Sequence, residues 1–313
     1  MQSMMARPAH VPADRIVDFD IFAPPGVEQD YFAAWQLLVR EDGPGVVWTS
    51  ANGGHWIATR GEIVRALWAD NVRLSSEVLA VTPGLGEVMR FIPLQQDPPE
   101  HQPFRMAVMK GFASRFVVAM EPQVTQVARE LIDGLIDRGS CDFVADFAEI
   151  LPLHIFLTLI DVPLSDRPRL RALGSQLTRP DGSMNVEQLR DAADDYLAPY
   201  IAARMANPGT DLFSRILSEP VEGRAWSEDE ARRMCRNLLF GGLDTVVAMV
   251  GMVALHLARH PQDQALLRDR PDLIPDAADE LMRRYPTVSV SRNLVADVEV
   301  DGVTLKAGDI IYL

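Results

Sequence analysis

Along most of the chain apolar residues recur three and four positions apart, the spacing that puts a hydrophobic stripe on one face of a helix. Val124, Val127, Leu131 and Leu135 are one such stripe. Strand patterns are sparse. A hairpin is predicted over 46–59, where Asn52-Gly53-Gly54 separates two β-rich runs, and a second over 297–305 with Asp301-Gly302 as its turn. A last strand pattern occupies 308–313, and its unfinished form suggests that the chain continues in the complete gene product. The most apolar stretch runs from Asn237 to Ala258. Its helix is predicted to start at Ser227, where Ser227-Glu-Asp-Glu230 matches a capping box, and to stop by His260-Pro261. That is about 30 residues, or roughly 45 Å of helix, the central rod of a large helical domain.

Between Leu238 and Leu255 of this rod, polar residues occur at one place. Asp244 and Thr245 stand side by side in it, and a carboxylate in apolar surroundings costs about 2–7 kcal/mol or more unless something satisfies it. Gly241-Gly242, one turn earlier, lowers helix propensity by about 1 kcal/mol per glycine and leaves backbone open to an approaching ligand. The pair reads either as a site or as a core polar pair satisfied by backbone. His101 and Arg105, after the Asp97-Pro-Pro-Glu100 turn, lie one helical turn apart, as donors to an anion or as members of surface ion pairs. Glu280 and Arg283 have ion-pair spacing, as do Glu62 and Arg65, so spacing alone gives them no role. His256 and His260 have the spacing of a helical metal pair, but they sit at a helix C-terminus, where the dipole favours histidine.

Composition narrows the classes. With 313 residues, 48% hydrophobic and 24% charged, the chain suits a soluble enzyme with a substantial core. Its 22 prolines cut it into short helices without a low-complexity linker, so 1–313 reads as one domain. A net charge of −14 opposes nucleic acid as the main partner. The first ten residues lack an apolar signal core and Asp244 breaks the one membrane-length segment, which points to a cytoplasmic protein. Cys141 and Cys235 read as reduced thiols in helical contexts, too few for a zinc or iron-sulfur cluster.

Taken in order, Asp18-Phe-Asp20, Val47-Trp-Thr49, Gly53-Gly-His-Trp-Ile-Ala-Thr-Arg-Gly61, Phe91-Ile-Pro93, Asp97-Pro-Pro-Glu100, Leu177-Thr-Arg-Pro-Asp-Gly-Ser-Met184, Gly241-Gly-Leu-Asp-Thr-Val-Val247 and Glu280-x-x-Arg283 resemble the cytochrome P-450 heme-thiolate monooxygenases, the bacterial camphor 5-monooxygenase family in particular. The resemblance implies a mainly α fold with small β-sheets and its C-terminal part missing, heme b as cofactor, and hydroxylation with O2. It implies a [2Fe-2S] ferredoxin and an NAD(P)H-dependent reductase as partners, and a monomer. By the same resemblance Asp244 and Thr245 are catalytic, as proton relay and oxygen-binding alcohol. His101, Arg105, Gly241, Gly242 and Arg292 hold the heme, and Glu280 with Arg283 forms a structural pair. Ala80, Met89, Leu94 and Val290 would line the substrate pocket together with Thr178, Asn237, Phe240 and Val288. Met89 stands where the camphor enzyme has a tyrosine that hydrogen-bonds its ketone, and Ala80 where it has phenylalanine. A terpenoid or norisoprenoid other than camphor is therefore the expected substrate. The axial cysteine is expected beyond Leu313; Cys141 and Cys235 match non-ligand positions, and no metal ligand is assigned within the chain. The alternative is a noncatalytic apolar-ligand binding protein or an inactive fragment of this fold. Arg65, Arg73 and Arg105 are candidate contacts for an acidic ferredoxin.

Overall fold

Both predicted hairpins form. In the computed structural model, which describes residues 6–82 and 84–313, contacts divide the chain into two units, Met1–Gln102 with Ser289–Leu313, and Pro103–Val288. The first five residues, part of the stretch read for a signal sequence, lie outside those described.

The first unit holds the strands. These are β1 (Ile16–Val17), β2 (Val46–Thr49), β3 (His55–Ala58), β4 (Leu74–Ser75), β5 (Ser291–Leu294), β6 (Val298–Val300), β7 (Val303–Leu305) and β8 (Ile310–Tyr312). Three short helices accompany them, α1 (Tyr31–Gln36), α2 (Gly61–Ala69) and α3 (Leu85–Met89). The six-stranded sheet runs β1-β2-β3-β8-β5-β4, with β2 and β3 antiparallel and Trp48 opposite Trp56. The strand pattern near the end of the chain becomes β8, between β3 and β5. β6 and β7 pair across Asp301-Gly302, whose φ of 50° and 73° place both residues in the left-handed region that such tight turns use. Val46, Trp48, Trp56, Leu294, Leu305 and Ile311 belong to one buried cluster of this unit.

The second unit is helical. It contains most of α4 (His101–Gly111), then α5 (Ser114–Val118), α6 (Glu121–Ile136), α7 (Ile150–Leu159), α8 (Arg167–Thr178), α9 (Val186–Ala206), α10 (Leu212–Leu217), α11 (Glu228–Leu243), α12 (Thr245–Arg259), α13 (Pro261–Asp269) and α14 (Ile274–Arg284). The capping box at Ser227 is complete: the Glu230 N–H donates to Ser227 Oγ, and the Ser227 N–H donates to the Glu230 carboxylate. Buried Arg236 on α11 donates through Nη1 to both carboxylate oxygens of Asp194 on α9, at 2.5 and 2.6 Å. Cys235 is buried within α11, whereas Cys141 lies in a non-helical connector, not in the helix expected for it.

The long rod departs from expectation. Its two parts, α11 and α12, meet at Asp244, where φ and ψ of −130° and −29° leave helical geometry. By length and composition 228–259 suffices to cross a membrane, and only 22% of its most apolar window is buried. That leaves apolar surface along the helix only partly covered by the described residues.

Candidate active site

The break at Asp244 positions the two residues singled out in the sequence. In a continuous helix the Gly241 carbonyl would accept from the backbone N–H of residue 245. Here the Thr245 hydroxyl donates to that carbonyl at 2.6 Å. Such a local side-chain bond competes with the helical ladder and bends helices. Asp244 becomes the residue before α12, and its backbone carbonyl accepts from the Ala248 N–H. Its carboxylate accepts from Arg179 Nη2 at 2.8 Å, just past the end of α8. The Asp244 side chain is 23% exposed and that of Arg179 65%, so this ion pair opens to water. A second pair, Arg171 with Glu149 at 2.7 Å, lies across the same small cleft, which Gly174, Leu243 and Val247 also line.

The two glycines differ. A Cβ on Gly241 would meet nothing within 4 Å, whereas one on Gly242 would lie 2.5–2.8 Å from ring carbons of Phe156 on α7. Gly241 therefore leaves open space beside Thr245, and Gly242 lets α7 and α11 pack. Phe240 is buried, and Asn237, one turn earlier, is half-buried. Thr178, at the end of α8, and Val288 are exposed. Glu280 and Arg283 form a two-pronged ion pair on α14, both bonds 2.6 Å, and the guanidinium holds the Glu280 carboxyl below the usual range. Arg105 is exposed on α4.

In the first unit the Ser291 N–H donates to the Leu79 carbonyl at 3.1 Å, which brings the segments carrying Ala80 and Val290 together. Met89 is fully buried and Leu94 is exposed. His101 opens α4, its N–H donating to the Asp97 carbonyl. Arg292 on β5 is held over the Trp68 ring at 4.7 Å and donates to the Ser291 carbonyl, and burial pulls its guanidinium below the usual range. Among the described residues it forms no ion pair. Sequence reasoning missed Arg179 and Trp68 because neither carries a spacing signal toward its partner.

No family model matches the chain. It is 34% identical over 316 residues to the probable cytochrome P450 127A1 of Sinorhizobium fredii, a match spanning 97% of this chain and 75% of that protein. The chain belongs to the cytochrome P450 family. It is also 31% identical to the mycinamicin IV hydroxylase/epoxidase of Micromonospora griseorubida, over 81% of this chain and 66% of that protein. The crystal structure of cytochrome P450 CYP101C1 matches with a TM-score of 0.90 and 75% identity, over 98% of this chain and 77% of that one. The mainly helical fold with small sheets is thus the P450 fold, and the family is one of heme b monooxygenases.

Residues of this P450 chain fit such a cofactor. A half-buried guanidinium that makes no ion pair among the described residues, Arg292, suits an anionic propionate, with Asp97 the carboxylate that acts on it from a distance. The open space at Gly241 and the exposed apolar side chains of α12, Val246 and Leu255 among them, suit a flat apolar ring. The cysteines do not suit axial ligation: burial pushes the Cys235 thiol well above the usual range, which disfavours the thiolate a metal needs, and Cys141 is exposed in its connector.

Proposed function

We propose that the complete protein is a cytochrome P450 monooxygenase that hydroxylates a small apolar terpenoid or norisoprenoid in preference to camphor. Its electrons come from NAD(P)H through a ferredoxin reductase and a [2Fe-2S] ferredoxin, and it works in the cytoplasm as a monomer, with 1–313 part of a single P450 domain. The observation that carries this reading is the helix break at Asp244, which sets an alcohol and an acid at the edge of an otherwise apolar surface. His101, Arg105 and Arg292 would hold the heme propionates, and Gly241 and Gly242 would face the ring. When bound, the heme supplies dioxygen activation.

The chain's own residues then manage protons. Thr245 Oγ1 gives its hydrogen to Gly241 and keeps its lone pairs for an incoming donor; to donate outward it has to release that carbonyl. Asp244 reaches water through its exposed bond to Arg179, so its carboxylate can collect a proton at the solvent side and pass it toward the neighbouring hydroxyl. An exposed ion pair contributes about 0–1 kcal/mol, so it opens at little cost during a turnover.

Substrate recognition rests on apolar surface. Ala80, Val290 and buried Met89 in the first unit, and Phe240 in the second, offer aliphatic, thioether and aromatic contacts; Met89 offers only a weak sulfur acceptor to a ketone. Leu94, Thr178, Asn237 and Val288 complete the proposed lining. Exposed Arg65, Arg73 and Arg105 favour an acidic ferredoxin, with Glu280 and Arg283 as a structural pair. Titrating the heme-loaded protein with a norisoprenoid and with camphor, read by the spin-state change of the heme, tests the substrate. The norisoprenoid is expected to bind more tightly; tighter camphor binding overturns the assignment.

A further inference from the structure

Where α12 gives way to α13, the turn at His260-Pro261 folds the last turn of one helix against the first turn of the next. The rings of His256 and His260 are stacked there, with centroids 4.1 Å apart and planes 17° from parallel. Asp263 approaches from α13, and one ligand atom from each of the three residues lies within 4.8 Å of the others. Helical spacing gave only two histidines; the third group arrives through the turn.

The hydrogen bonds fix the tautomers. His260 Nδ1 is 2.8 Å from the His256 carbonyl, which only accepts, so Nδ1 carries the hydrogen and Nε2 keeps a lone pair. His256 Nε2 is 2.9 Å from an Asp263 carboxylate oxygen, so Nε2 carries its hydrogen there, and Nδ1 accepts from the Tyr285 hydroxyl at 2.7 Å. Arg284 Nε donates to the same hydroxyl at 3.1 Å. The near-parallel His260 ring would have to turn to aim Nε2 at a cation shared with His256 and Asp263, and that cation would displace the proton between His256 Nε2 and Asp263. If that proton leaves, Nδ1 takes up a hydrogen and donates to Tyr285, which orients the imidazole as the outer partner of a metal-bound histidine does. Two imidazoles and one carboxylate suit a borderline divalent ion such as zinc, with water as fourth ligand, better than magnesium or calcium, which prefer oxygen. The Asp263 side chain is 40% exposed, which gives an ion a way in.

We propose that His256, His260 and Asp263 form a zinc-class divalent metal site that fastens the end of α12 to the start of α13. It is separate from the Asp244–Thr245 region. The test is calorimetric titration of the chelator-treated protein with Zn2+ alone, in two buffers of different ionisation enthalpy. One ion is expected per chain, with little net proton release to the buffer, because the hydrogen displaced from His256 Nε2 is balanced by the one taken up at Nδ1. His260→Ala and Asp263→Asn are each expected to weaken binding by at least about tenfold, and Tyr285→Phe by about tenfold with stoichiometry kept. His154→Ala should change nothing. His260→Ala leaves the bonds of His256 to Asp263 and Tyr285 in place, so its fold is expected to persist, checked by circular dichroism. Absence of saturable one-to-one binding, or binding unmoved by both His260→Ala and Asp263→Asn, would overturn the site.

Discussion

Gly241 and Gly242 are adjacent in sequence and identical in chemistry, yet alanine at each should act in opposite directions. A Cβ at 242 would stand 2.5, 2.7 and 2.8 Å from Cδ2, Cγ and Cε2 of Phe156, about 1 Å inside the ~3.5–4.0 Å of ordinary carbon contact. Overpacking of that kind costs about 1–3 kcal/mol. Alanine in a helix regains about 1 kcal/mol over glycine, so Gly242→Ala should end between neutral and about 2 kcal/mol destabilised. At Gly241 the Cβ meets nothing, and Gly241→Ala should hold or raise stability by about 0.5–1 kcal/mol. Removing the ring isolates the cause. In a Phe156→Ala background Gly242→Ala should become neutral or stabilising, a coupling of about 1–3 kcal/mol between two residues in contact. Urea unfolding followed by circular dichroism measures all of these variants. If Gly242→Ala costs no more than Gly241→Ala, or costs the same with and without the Phe156 ring, Gly242 does not serve the packing of α7 on α11.

Other perturbations probe the acid and the sheet. Arg179→Ala should change stability by no more than about 0.5–1 kcal/mol, because its pair with Asp244 is exposed, while Asp244→Asn should slow turnover at unchanged substrate affinity; a large stability loss for Arg179→Ala would show that the pair holds the helix break in place. His55, buried in β3, has its pKa lowered to about 4 from 6.5, chiefly by desolvation. Between those values the unfolded chain binds more protons, so stability is full above about pH 6.5 and falls on acidification, by about 2 kcal/mol from about pH 7.5 to about pH 5. His55→Phe should flatten that part of the profile in urea unfolding at the two pH values; an unchanged slope would remove His55 as its source.

Local signals were readable wherever a short stretch of chain decides its own shape. Asn52-Gly53-Gly54 and Asp301-Gly302 marked hairpins because few other residues accept their backbone conformations, and Ser227 with Glu230 marked a helix start because both halves of the cap lie within one turn. The break at Asp244 was hidden for a physical reason. Apolar periodicity runs through it, while the cause is a hydroxyl that takes a backbone acceptor four residues earlier, a competition that hydrophobic pattern does not report. The partner of Asp244 is Arg179, 65 residues away in sequence, and the strand order β3-β8-β5-β4 joins segments more than 200 residues apart. Tertiary packing sets such pairings. Asp244, Thr245 and Gly241 were recognisable as candidates because an acid and a glycine pair stand out in an apolar helix, whereas Ala80, Met89 and Val290 came only from the family resemblance.

Oxygen chemistry at Thr245 is the centre of the functional reading, and the ratio of hydroxylated product to NAD(P)H consumed tests it most directly. With the complete, heme-loaded protein and its electron-transfer partners, Thr245→Ala is expected to keep substrate binding and consume NAD(P)H, but to lose product in favour of hydrogen peroxide. Thr245→Ser, which retains the hydroxyl, should recover much of the ratio. A Thr245→Ala protein that converts NAD(P)H to product as efficiently as the parent would contradict the role given to this side chain.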